Sequence, residues 1–268
     1  MSTATTFETI DVTLTDGVCT VTMQRADVLN AFDNTLTTEL AKALKDASRN
    51  KDVRVVVITG SGRAFSSGQD LADLKAKYVP GHEPHLGEDL KKRYDPIMKC
   101  IHTMEKPVIA SVNGVAAGAG CSLALACDMR IASEHASFIE VFVNVGLIPD
   151  SGSTWTLPRL VGFGRAMELC CTGRPVKAEE ALAIGLVNQV VPADELGIAT
   201  QKLAHRLASL PAKAISLTKR LLNQSFENDF KEQLAQESFA QETAGRTHDH
   251  FEGVVAFIEK RKPNFTHE

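Results

Sequence analysis

Two short glycine-rich strings carry residue types from which an enzyme builds a site for negative charge. GRAFSSGQDL spans Gly62 to Leu71, and NGVAAGAGCSLALACD spans Asn113 to Asp128. Each follows a β-branched apolar run, VRVVVIT at 53–59 and PVIASV at 107–112, so each marks the point where a buried strand ends and the chain turns. Two such turns side by side aim backbone N–H groups at one point, which is an oxyanion hole for charge developing on a carbonyl oxygen. The spacing nominates the N–H of Gln69, just after Gly68, and of Ala119, between Gly118 and Gly120. Residues 121–127 are small or apolar with no breaker, so Ala119 would open a buried helix whose N-terminus favours an anion. On spacing alone, glycine turns needed only for tight strand-to-helix packing fit as well.

The elements around these turns alternate. Ile10, Val12 and Leu14, then Cys19, Val21 and Met23, alternate with polar residues on either side of Asp16-Gly17, which is a hairpin. Asp33 is placed to N-cap a helix with Leu36, Leu40, Ala43, Leu44 and Ala47 on one face. Strands alternating with helices predict an α/β core covered on its faces. Residues 75–92 are polar and hold Pro80, Gly81, Pro84 and Gly87, the composition of a lid followed by a helix start. His82 and His85 in this segment lack the further ligands of a metal site. From about residue 177 the chain reads as helices.

Composition excludes several classes. The net charge of −4 is spread over interleaved acids and bases, so no nucleic-acid surface is expected. The six cysteines form no CxxC pair and mostly lie in apolar context, as reduced thiols of a cytoplasmic protein do. The N-terminus has neither basic region nor apolar core, so no secretory signal is read there. The uncharged stretch 107–127 is long enough to span a membrane, but Pro107, Asn113 and three glycines break it, and no membrane partner is expected. Gly114, Gly118 and Gly120 are spaced G-x-x-x-G-x-G, not the G-x-G-x-x-G of a dinucleotide loop, and GSGRAFSSG lacks the ending of a P-loop.

The strings AFSSGQDL and NGVAAGAG, together with RADVLNAF at 25–32 and GLIPDSGSTWTLPRLVGFGRAMEL at 146–169, resemble the crotonase superfamily, the enoyl-CoA hydratase/isomerase family. The match runs in order from about residue 10 to residue 265. The resemblance implies an acyl-CoA thioester substrate, coenzyme A as part of that substrate and no separate cofactor or metal, and an enolate held by two backbone amides. It implies a spiral of ββα units over 1–200 and a helical trimerisation section over 201–268, giving a homotrimer or a dimer of trimers.

In the hydratase branch two glutamates move water and proton. Here their positions hold Ser122 and Phe142, which cannot do both tasks. Asp150, in the turn GLIPDSGSTW, stands where Δ3,Δ2-enoyl-CoA isomerases of peroxisomal type carry a single acid, and the ring-epoxyphenylacetyl-CoA isomerases resemble the chain further in GQDL and PDxGxTWxLPR. A lone carboxylate suits a 1,3-proton shift, because it takes one proton and returns it elsewhere. As ordinary turn chemistry, Asp150 would instead be an N-cap. An apolar wall of Phe142, Val145, Leu147 and Trp155 would help it work near neutral pH. Glu140 is the rival acid, expected from strand alternation to point elsewhere or to lie at another depth. Ser153 stands where the nearest branch usually has glycine.

The resemblance also assigns substrate contacts. Arg25, Val28 and Leu29, with Ala64, Ser66, Ser67, Gly68, Asp70 and Leu71, match the shelf for adenine and pantetheine, and Gly118 flanks the second amide. Phe257 and Lys260 match a terminal helix that reaches a neighbouring subunit's nucleotide. The expected activity is an isomerase moving a double bond from 3-enoyl-CoA to 2-enoyl-CoA, with Asp150 as base and the Gln69 and Ala119 amides as oxyanion hole. A hydratase of unusual mechanism, an aryl-CoA dehalogenase with a nucleophilic aspartate, and a non-catalytic CoA-binding protein are the alternatives. Thioester hydrolysis lacks an acid in the required place.

Overall fold

The computed structural model describes residues 6–70, 72, 73, 75 and 85–267. Leu71, His82 and most of the expected lid lie outside them. The hairpin forms as the alternation predicts, with β1 (Ile10–Thr15) antiparallel to β2 (Val18–Met23). Asp33 caps α1 (Asn34–Arg49) by accepting the Leu36 N–H at 2.8 Å, and the five apolar residues of its predicted face are all buried.

Beyond α1 the chain lays down strands in pairs, β3 (Val55–Gly60) and β4 (Ala64–Ser66), β5 (Val108–Val112) and β6 (Val115–Ala117), β7 (Met129–Ser133) and β8 (Ser137–Ile139). The first strand of each pair joins one sheet, ordered β1-β2-β3-β5-β7-β10, and the second joins another, ordered β4-β6-β8-β9, where β9 is Val176–Lys177 and β10 is Gln189–Val191. This shuttling between two sheets is the ββα spiral, which leaves no sequence repeat because each turn carries different residues.

The larger sheet is parallel from β2 onward and buried on both faces, as its continuous apolar strands require. Val56 and Ile58 face the main core with Leu36, Leu40 and Phe65. Val55, Val57 and Ile109 face a second cluster under α7 (Leu196–Ala208). Residue 200, where the helical section was expected to begin, is thus inside a helix that covers the sheet. Three further helices follow, α8 (Ala212–Gln224), α9 (Phe230–Gly245) and α10 (His248–Glu259), and they expose Phe230, Phe239, Phe251 and Phe257. No helix among the described residues is long and apolar enough to cross a membrane.

The spiral brings β4 and β6 side by side, so the turns that follow them meet. After β6 comes α3 (Ala119–Ala126), apolar all round and therefore enclosed. The remaining core helices are α2 (Asp95–Thr103), entered through a π-turn at Leu90–Tyr94, α4 (Ser153–Val161), α5 (Phe163–Thr172) and α6 (Ala178–Ala183).

The start of α3 tolerates no side chain against β4, since a Cβ on Gly120 would fall 2.4 Å from Ser66 O and 2.7 Å from Ser66 Cβ. Gly120→Ala is expected to cost about 1–3 kcal/mol by overpacking, lowering the melting temperature by roughly 2–12 °C. Gly197→Ala, which meets nothing within 4 Å, serves as control. Equal melting temperatures for the two variants would refute this account of the turn.

Candidate active site

The first turn is held by the segment before α1. Ser67 N–H donates to Leu29 O, Phe32 N–H to Gly68 O and Asp70 N–H to Phe32 O. Buried Ser66 donates to Asn30 O and accepts the Gly68 N–H, while Asn30 Nδ2 donates to Ser61 O and Ala64 O. Val28 stays exposed beside Ser67, whose hydroxyl reaches Val28 O at 3.4 Å. Arg25, assigned to the substrate, has its guanidinium engaged by Asp33 and Asp70, both at 3.0 Å, and by Ala31 O. Burial raises the Asp70 carboxyl's proton affinity, but the Ala72 N–H and Arg25 outweigh it and hold Asp70 below its ordinary value. In this chain Arg25 and Asp70 therefore fasten the shelf.

Between Gly68 and Asp70, whose amides are bonded, the Gln69 N–H has no partner among the described residues, and the same is true of the Ala119 N–H at the start of α3. Gly68, at φ 90°, lies so near the second turn that a Cβ would meet Ala117 O at 2.7 Å and Ala119 N at 3.4 Å. Gly118, at φ 50°, donates to Ile139 O and turns its peptide so that the next N–H is free. Two open amides on touching turns are the geometry an oxyanion hole needs.

A tyrosine that sequence reasoning missed fixes the first of them. Tyr94, buried at the end of the π-turn, donates its hydroxyl to Gln69 Oε1 at 2.5 Å, and Gln69 Nε2 donates to Asp73. Arg93, also buried, pairs with Asp73 at 2.9 Å and donates to Phe32 O. Burial pushes the Tyr94 phenol well up, outweighing the Arg93 guanidinium, and the Asp150 carboxylate adds a smaller push, so Tyr94 stays a donor to Gln69. π-Turns gather at functional sites, but nothing in LKKRY announces one. Asn113 was missed as well; it donates to Gly62 O and Ala64 O and ties the second turn to the first.

Asp150 reaches the site through its turn. Ser122, one helical turn after Ala119, donates to Asp150 O at 3.1 Å. Among the described residues the Asp150 carboxyl caps no helix; it accepts the Ser151 hydroxyl, and the N-cap of α4 is Gly152. Ser151 sits at φ 53°, a left-handed angle that costs a non-glycine residue energy and is met at functional turns. Asp150 is half-buried, and that burial raises its proton affinity above an ordinary carboxyl.

The wall behind Asp150 differs from the expected one. Val141–Val145 is a 3₁₀ turn, so strand alternation ends at Ile139 and no longer decides which side chains face inward. Phe142 is buried beside Gly118, but Val145 and Leu147 point outward at 71% and 40% exposure. Trp155 packs edge-on against His102 and Phe226, with Arg159 over its ring. Glu140 lies deeper than Asp150, 4% exposed; Ser153 donates to its Oε1 at 2.9 Å, and its Oε2 has no partner. Burial, and less so Asp150, pushes its carboxyl up to about 7. Phe257 and Lys260 are on or next to α10, whose packing is against α9, and Phe257 is 85% exposed.

The sequence matches the enoyl-CoA hydratase/isomerase family model over residues 13–268. It is 42% identical to a 1,2-epoxyphenylacetyl-CoA isomerase of Escherichia coli K12, over 93% of this chain and 95% of that one. It is 40% identical to a probable enoyl-CoA hydratase of Rhodobacter capsulatus, over 97% and 98%. The fold superposes on the crystal structure of an enoyl-CoA hydratase from Bacillus anthracis with a TM-score of 0.92 and 35% identity, covering 97% of this chain and all of that one.

Glu140 makes stability pH-dependent in a stated direction. Its carboxyl goes from an ordinary value of 4.5 to about 7 on folding, so between these values the folded chain holds a proton that the unfolded chain has lost. Stability from this group therefore falls as pH rises through that window and stays lower above it. Glu140→Gln removes the fall, and its melting temperature should gain on the parent's steadily from about pH 5 to about pH 8. Parallel pH slopes for the two proteins would show that Glu140 does not titrate there.

Proposed function

The chain belongs to the enoyl-CoA hydratase/isomerase family, and from that premise we propose that it is an isomerase that converts 3-enoyl-CoA to 2-enoyl-CoA with Asp150 as its single acid–base. The observation that carries the reading is the placing of the carboxyls. Asp150 is part exposed and joined through Ser122 to the helix that Ala119 begins, whereas Glu140 is sealed behind Ser153. The two hydratase positions hold a serine hydroxyl and a phenyl ring.

In this mechanism the thioester oxygen accepts the Gln69 and Ala119 N–H groups. The Asp150 carboxylate takes the proton from C2, the C–H pair becomes the C1=C2 bond of the enolate, and the oxygen takes the charge. The same carboxyl then gives its proton to C4. The C3=C4 pair forms the new C–H bond, the C1=C2 pair moves to C2=C3, and the carbonyl returns. One proton is borrowed and repaid, so no second acid is needed. Preorganised amides stabilise such an oxyanion strongly, each worth about 10²–10³ in rate. Tyr94 serves by keeping Gln69 in place.

The shelf from Val28 to Asp70 is read as the support of the CoA arm. The exposed phenylalanines of α9 and α10 support burial against further copies of the chain, as a homotrimer or dimer of trimers, with Phe257 and Lys260 reaching a neighbour's nucleotide. Hydration is the second reading. The presence of a second carboxyl, Glu140, with a proton affinity near neutrality favours it, and several similar proteins are named hydratases.

Turnover of a 3-enoyl-CoA and a 2-enoyl-CoA by the parent and by Asp150→Asn, with products separated by chromatography, distinguishes the two. The parent should convert the 3-enoyl substrate, and the variant should bind it but turn it over about 10²–10⁴-fold more slowly. A 3-hydroxyacyl product alone supports the hydratase. An unimpaired variant makes Asp150 a turn residue.

A further inference from the structure

Behind the oxyanion hole runs a chain of hydroxyls that ends on a buried carboxyl. Ser122 Oγ lies within hydrogen-bond distance of Gly118 O at 3.2 Å, Asp150 O at 3.1 Å and Ser153 Oγ at 2.9 Å. Ser153 Oγ in turn meets Glu140 Oε1 at 2.9 Å. Ser122, Ser153 and Glu140 are all at most 4% exposed, so no bulk water substitutes for these partners. Gly118 O belongs to the same peptide unit as the Ala119 N–H. A hydrogen bond donated to that oxygen polarises the unit and makes the N–H a stronger donor, because bonds in series reinforce one another.

Each serine has one proton to give. When Glu140 is ionised, Ser153 must donate to it, so Ser153 Oγ accepts from Ser122 and draws the Ser122 proton away from Gly118 O. When Glu140 carries its proton on Oε1, it donates to Ser153, Ser153 donates to Ser122, and Ser122 is left to share its one proton between Gly118 O and Asp150 O. We propose that Glu140 is a positioning residue whose proton, relayed as hydrogen-bond direction through Ser153 and Ser122, strengthens the Ala119 amide and makes the neutral form the more active one. The proposal rests on the reading of that amide as an oxyanion donor and leaves the choice of base to Asp150.

The surroundings of Glu140 suit a group that changes charge near neutrality. Its second oxygen has no partner at hydrogen-bond geometry, and burial outweighs the Ser153 and Cys121 side chains, which favour the ionised form. Facing it are the Cys121 thiol of α3, kept protonated by burial, the Cys170 thiol of α5 and the Asp150 carboxyl. From the π-turn, Tyr94 feels the Asp150 charge, with Arg93 beside it. No lysine or arginine is hydrogen-bonded to either carboxyl among the described residues. During enolisation one negative charge passes from Asp150 to the thioester oxygen. A charge on Glu140 is repulsive towards both ends of that transfer, so its two through-space effects oppose each other, whereas the direction of the hydroxyls acts on the Ala119 amide alone.

The test is the pH dependence of kcat for 3-enoyl-CoA isomerisation in the parent, Glu140→Gln and Ser153→Ala. The parent should lose about two- to tenfold in kcat as pH rises through neutrality, with little change in KM. Glutamine keeps an N–H donor towards Ser153 at every pH, so Glu140→Gln should lack this alkaline fall and overtake the parent above it. Ser153→Ala removes the acceptor that draws the Ser122 proton away and should likewise abolish the fall. A parent profile with no alkaline limb, or a limb that persists unchanged in both variants, overturns the proposal. Activity in Asp150→Asn would instead overturn the assigned base, and the alkaline limb would still report on Glu140.

Discussion

Everything at this site depends on two strand ends meeting at backbone distance. β4 and β6 are neighbours in the smaller sheet, and the turns that follow them touch where Gly68 faces Ala117 O and Gly120 faces Ser66 O. Any Cβ at these points would separate the turns, and with them the Gln69 and Ala119 amides. Close approach buries peptide groups, which must then be satisfied. Asn30 and Asn113 do this by spanning the turns with side-chain amides that donate to the same Ala64 carbonyl, so the two loops behave as one body. Among the described residues of these two turns, the Gln69 and Ala119 N–H groups are left without a partner.

Preorganisation of that kind is effective because its cost is met on folding. The Gln69 amide is set by Gly68 and Asp70 on either side, and its side chain by Tyr94 and Asp73, so little reorganisation remains for the moment when charge develops. Burial of Tyr94 and Arg93 gives the arrangement a stiff base. Desolvation likewise raises the proton affinities of Asp150 and Glu140, which lie at different depths. One carboxyl is left half-buried, and the other is enclosed with the Ser153 hydroxyl and the Cys121 thiol.

The sequence showed those parts of the fold in which local pattern and global structure agree. Alternation on either side of Asp16-Gly17, Asp33 before an amphipathic run and glycines after β-branched runs all carry their meaning within a few residues. The sheet shuttling does not, because it is a matter of which strands pair across dozens of residues. Within the site, the Gly68 turn meets Ala119 N, Asp150 O is bonded to Ser122 of the helix that Ala119 begins, and Phe142 is buried beside Gly118. The outward placing of Val145 and Leu147 was hidden because VFVNV alternates like a strand and forms a 3₁₀ turn. Resemblance assigns Arg25 to the substrate shelf, and nothing in RADVLNAF says that Asp33 and Asp70 will both reach it. Tyr94 was out of sight because its partner lies twenty-five residues away across an irregular helix.

Ser122 and Ser153 are best understood together. A hydroxyl enclosed by protein must find both a donor and an acceptor or lose free energy. Ser122 finds carbonyls and Ser153, and Ser153 finds Ser122 and Glu140. Glycine at 153 would leave Ser122 with carbonyls only and Glu140 Oε1 with no hydroxyl, and an apolar residue at 140 would leave Ser153 without its acceptor. The three residues therefore form one polar unit whose members explain each other, and the unit's far end is the peptide that presents the Ala119 N–H. A serine at position 122 thus does more than mark a missing carboxylate, for it links the peptide that carries the Ala119 N–H to the buried Glu140 carboxyl.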